Sequence, residues 1–94
     1  MSATKAKEIF SFAELRKRLG FNQAEMANRM GLGARTYWSL EENPGSINVR
    51  HAKLAEMVAL ELAVERQDAS LAPPRVADLA RAFAAIGKRK IRLI

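Results

Sequence analysis

The sequence predicts an all-α fold of five helices, and three observations carry that prediction. Apolar residues recur at three- and four-residue spacing in five successive stretches. Those stretches are separated by short Gly, Pro, Asn and Ser punctuation. Two of the stretches are preceded by a capping-box pattern, a polar residue followed three positions later by Glu. No strand-like alternation is found outside the last few residues.

Taken in order, residues 1–10 are expected to form a flexible N-terminal arm. Ser11 stands three before Glu14, and Phe12, Leu15 and Leu19 then follow at helical spacing until Gly20 stops the first helix. Asn22 with Glu25 opens a second, short helix carrying Met26, Ala27 and Met30, and Gly31 ends it. The third helix runs from Ala34 to about Glu42 with Tyr37 and Leu40 inward, and Asn43-Pro44-Gly45-Ser46 turns the chain. Asn48 is placed to cap a longer fourth helix, about Val49 to Arg66, where Leu54, Met57, Val58, Leu62 and Val64 occupy more than one face. Gln67 to Pro74 reads as a linker. The fifth helix, about Arg75 to Ile86, aligns Val76, Leu79, Phe83 and Ile86, with Gly87 as its stop. Residues 11–66 are expected to form the folded unit, and residues 67–94 a C-terminal helical extension.

Composition narrows the chemistry. The chain has 94 residues, enough for one core, and about half of them are hydrophobic. The longest apolar run, Ala82 to Ile86, is far below the roughly 20 residues of a membrane helix, and no apolar leader follows the N-terminus. A cytoplasmic location is expected. There is no cysteine and one histidine, so disulfides, thiolate metal sites and cysteine nucleophiles are excluded. His51 sits on a helix between cations, without the partners a catalytic base requires. Glu56, Glu61 and Glu65 read as surface charge, Glu41 as a structural residue pairing with a basic side chain, and Arg16, Lys17 and Arg18 as a solvated helix face. No catalytic, cofactor or metal constellation is present, so the chain is not expected to be an enzyme or to need a cofactor. The net charge of +6, concentrated at the two ends, suits a polyanionic partner.

Residues 23–42 carry the functional signal. Two short helices joined by a tight turn need a small residue where they approach, here Ala27, and a residue tolerant of positive φ in the turn, here Gly31. Apolar side chains must line the inside on both sides of that turn, as Met26, Met30, Leu32, Tyr37 and Leu40 do. The stretch NQAEMANRMGLGARTYWSLEENP resembles the helix-turn-helix of lambdoid phage repressors and Cro proteins, the Xre-like family of bacterial and phage regulators. The likeness covers roughly residues 11–66. It departs from the family pattern at Tyr37, where a β-branched residue is usual, and at Trp38 and Ala34, where polar residues are usual.

The resemblance implies a lambda-repressor-like domain and sequence-specific binding of double-stranded DNA. Gly33, Ala34, Arg35, Trp38 and Ser39 fall on the groove-facing positions, and Asn22, Gln23 and Thr36 on phosphate-contacting ones. Arg35 has the fork that suits guanine O6 and N7. A homodimer on an inverted repeat is expected, with Val76, Leu79, Phe83, Ile86, Ile91 and Leu93 as candidate dimer or partner contacts. The alternative is an interaction module, such as an antitoxin or a coactivator, whose extension binds a toxin, RNA polymerase or a sigma-like subunit.

Overall fold

Glycine in the left-handed conformation ends each of the first two helices and sets the course of the chain. In the computed structural model, which describes the backbone of residues 11–90 and the side chains of residues 11–86, α1 spans Phe12–Leu19 and α2 spans Gln23–Met30. Gly20 (φ 80°) and Gly31 (φ 77°) close them, and each donates its N–H back to the last turn. Helix α3 is Ala34–Glu42, α4 is Val49–Arg66 and α5 is Pro74–Lys90. Short 3-10 turns at Pro44–Ser46 and Ala69–Leu71 connect them. Among the described residues the chain is all-helical, with five α-helices and no strand. No described helix is long and apolar enough to cross a membrane.

The helix starts follow the expected chemistry, with one difference. Asn22 and Glu25 form a complete capping box, each side chain bonded to the other's backbone N–H at 2.8 Å. At α1 only the first half is made among the described residues: Ser11 Oγ accepts from the Glu14 N–H at 3.2 Å. Asn48 caps α4 by accepting from the His51 N–H, and the His51 ring returns the bond by accepting the Asn48 N–H at Nδ1. The lone histidine is thus a capping residue.

One core joins the first four helices and the second 3-10 turn. Phe12, Leu15 and Leu19 of α1 meet Met26, Ala27 and Met30 of α2, Tyr37 and Leu40 of α3, and Ala55, Val58, Ala59, Leu62 and Ala63 of α4. The Phe12 and Tyr37 rings stack, with centroids 5.9 Å apart. Two side-chain bridges reach across to the end of α4. Arg29 makes a bidentate pair with Glu65 at 2.8 and 2.9 Å, and Arg66 donates to the Leu19 carbonyl at 3.1 Å.

Four sequence expectations require correction. Residues 67–74 are not a free linker. Gln67 takes the left-handed conformation to end α4, Asp68 caps the 3-10 turn, and Leu71 is buried in the core. Pro74 is the first residue of α5, where a missing N–H costs nothing. Gly87 does not stop α5, which runs on to Lys90: the following residues are good helix formers and no proline intervenes. Glu56 is not surface charge; it is 8% exposed and ion-paired with Arg75, which ties the start of α5 to α4. The arm at 1–10 and the expectations placed on Ile91, Leu93 and Ile94 lie outside the described residues.

Candidate nucleic-acid interface

Helix α3 has nine residues, and its two sides do different work. Tyr37 and Leu40 are buried and Glu41 is nearly so, whereas Ala34, Arg35, Thr36, Trp38 and Glu42 are exposed. That division follows helical periodicity: positions 37, 40 and 41 share one side, and 35, 38 and 42 share another, while Ala34 is in line with 41 and is exposed as the first residue of the helix. Gly33 precedes the helix as its N-cap residue with ordinary extended backbone (φ −70°). Ser39 is half-buried at the boundary, and its carbonyl accepts from the Asn43 N–H at 2.9 Å.

The inner side is anchored by a polar network around one carboxylate. Arg16 of α1 donates to both oxygens of Glu41, at 2.6 and 3.1 Å, and to the Phe21 carbonyl at 3.2 Å. Gln23 Nε2 donates to Glu41 Oε1 at 2.9 Å, and the Tyr37 hydroxyl donates to Oε2. Burial pushes the Glu41 carboxyl up, but the bonds from Arg16, Tyr37 and Gln23 outweigh it and hold the group below the usual carboxylate range. Burial first, and then Glu41, pushes the Tyr37 phenol well above its ordinary value. The hydrogen bond to Glu41 raises the Arg16 guanidinium further. No buried side-chain polar atom among the described residues is left without a partner.

This network corrects the reading of Arg16, which does not join a solvated face. Its partner stands 25 positions away, so no local spacing reveals the pair. The other predicted residues are placed as follows. Arg35 is exposed and makes no ion pair among the described residues. Trp38 is 50% exposed beside it on the outer side. Asn22 Oδ1 is committed to the helix cap, and Gln23 has one N–H and its oxygen to spare after bonding Glu41. Val76 is half-buried, while Leu79, Phe83 and Ile86 are exposed.

Sequence reasoning missed two cations. Arg50 and Lys53 lie at the start of α4 and make no ion pair among the described residues. The signal was present: α4 has no acidic residue in its first turn, so its cations stand where the helix dipole disfavours them. Cations held there against the local field fit an external anion. With Arg35, Lys17 and Arg18, they make five exposed cations without a counter-ion among the described residues. No group of three or more His, Asp or Glu side chains among the described residues could hold a metal ion.

Comparison with known proteins adds no further constraint: no protein-family profile, no curated protein and no solved structure matches the chain.

Proposed function

We propose that this protein is a sequence-specific DNA-binding regulator of the helix-turn-helix kind, with α3 as the helix that enters the major groove. The observation that carries the reading is the two-sided α3. Its inner side is locked to α1 and α2 through Glu41, and its outer side offers Ala34, Arg35 and Trp38 to a partner. A rigidly mounted helix with an unpaired arginine is what base readout requires, since the fork must reach a guanine edge in a fixed register. Gln23 at the N-terminus of α2, with Asn22 and Thr36, is assigned to phosphate. Arg50 and Lys53 extend that assignment to the start of α4. Phosphate contacts set affinity and α3 sets preference.

Selection of bound duplexes from a random pool tests the reading. The expected result is an enriched motif containing a guanine whose recognition depends on Arg35, with log affinity falling linearly against log salt. A folded sample that enriches no motif overturns it. The exposed groove between α4 and α5 favours a second reading, an interaction module in which that groove seats a toxin-like protein or a polymerase subunit.

A further inference from the structure

The turn between α2 and α3 and the first half of α4 border an open cleft of about 560 Å³, most of which duplex binding leaves unused. Leu32 of the turn lies on one side, and Arg50, His51, Lys53, Leu54 and Met57 of α4 form the rest. Positions 50, 53, 54 and 57 recur at three- and four-residue spacing and so share one face of α4. The chemistry changes along that face. Near the helix start stand two exposed cations, Arg50 and Lys53, which make no ion pair among the described residues. Further on the face is apolar: Leu54 is 40% exposed and Met57 49%, and Leu32 is half-buried. The His51 ring adds a donor. Its Nδ1 accepts the Asn48 N–H at 3.2 Å, so in the neutral ring the proton is held on Nε2.

Neither simpler use accounts for both halves of the cleft. A phosphodiester backbone matches Arg50 and Lys53 but gains nothing from Leu54 and Met57. A purely apolar occupant would leave the cations uncompensated at the positive end of the α4 dipole, where the first turn holds no acidic residue. We propose that the cleft binds a small amphipathic anion, a free monocarboxylate with its head between Arg50 and Lys53 and its apolar body over Leu32, Leu54 and Met57. The volume falls within the range of small-molecule sites, roughly 300–1,000 Å³. From Arg50 to Met57 the helix rises roughly 10 Å, which suits an unbranched chain of about eight to ten carbons. The site itself is independent of what α3 binds. Its consequence rests on the proposed function: an anion held by Arg50 and Lys53 withdraws two cations from phosphate and weakens binding to every duplex alike.

Titration of the full chain with decanoate, without DNA and below the micelle threshold, tests the site when followed by amide chemical shifts. Saturable binding of one decanoate per chain is expected, with shifts centred on Leu32 and residues 50–57. Acetate, which lacks the body, and decylammonium, which reverses the head, should each bind at least about tenfold more weakly. Leu54→Gln should weaken decanoate by about tenfold through the lost apolar contact. Arg50→Glu combined with Lys53→Glu should exchange the preference, so that decylammonium binds and decanoate does not. That double variant should melt no lower than the parent, because acidic residues suit the start of a helix, which separates lost binding from lost fold. The absence of a saturable shift at α4, binding indifferent to these variants, or binding only to vesicles of anionic phospholipid overturns the proposal. Duplex affinity with and without saturating decanoate is a separate measurement. An unchanged affinity overturns the consequence for duplex binding, whereas a chain that prefers no duplex overturns the proposed function and not the site.

Discussion

Replacing Glu41 with glutamine tests the anchor of α3 at its centre. The substitution keeps the shape and removes the charge on which Arg16, Tyr37 and Gln23 converge. The Glu41 side chain is 6% exposed and that of Arg16 15%, so the guanidinium left behind is largely out of water without its counter-ion. Breaking a fully buried pair costs 3–5 kcal/mol, and the residual access of Arg16 to solvent brings the expectation to about 3 kcal/mol. For a chain of this length that corresponds to a fall in Tm of roughly 12–24 °C. The pH dependence has a definite sign. The carboxyl is held below its ordinary range in the folded state, so on acidification the unfolded chain takes up the proton first. Its contribution is complete above the unfolded carboxylate value, near pH 4.3, and is lost as pH falls through the lower folded value. Circular-dichroism melts of parent and variant should therefore differ by a constant gap from neutral pH down to about pH 5, and the gap should close below about pH 4. A variant melting within about 2 °C of the parent at neutral pH would refute the network as the anchor, since that is below about 0.5 kcal/mol. So would a gap that persists undiminished in acid.

The other predictions address the turn, the packing and the reading surface. Gly31→Ala should cost about 1–2 kcal/mol in urea denaturation, from the positive φ alone, because a Cβ at that position meets nothing within 4 Å. Ala27→Glu should cost several kcal/mol and be visible as loss of the cooperative melt, since the position is 2% exposed and offers a charge no partner. Arg35→Ala should remove about 1–3 kcal/mol of discrimination at one base pair in competition binding, with stability unchanged. Gln23→Ala should instead weaken binding to all duplexes alike, together with a modest stability loss from its bond to Glu41.

The helices were legible wherever structure is decided locally. Asn22 with Glu25, the glycines at 20 and 31, and the inward set Met26, Met30, Tyr37 and Leu40 are all short-range patterns, and each is formed as expected. What escaped were the partners over distance: a cation for Glu41 was expected, but not that Arg16 supplies it. Arg16 with Glu41 and Glu56 with Arg75 join residues 25 and 19 positions apart, and a charged residue looks the same in sequence whether solvated or paired. Leu71 illustrates the same limit: one buried leucine in the short stretch Ala69-Ser70-Leu71-Ala72-Pro73 has no periodicity to announce it. Gly87 shows the converse error, because a glycine ends a helix only where the chain also turns away. At the candidate interface, the outward positions 35 and 38 followed from helical phase. The commitment of Gln23 to Glu41 depended on side-chain geometry that spacing does not carry.

The separation of duties along α3 has an evolutionary consequence. None of the bonds that hold the helix is made by the side chains of Ala34, Arg35 or Trp38. Those positions can be rewritten without loosening the mount, as a key blank can be recut while its bow stays the same. On the proposed function, new specificities are therefore reachable through single substitutions that carry almost no stability penalty, so that the target could change while the scaffold stands still. Drift at Glu41, by contrast, is closed off unless Arg16 changes with it.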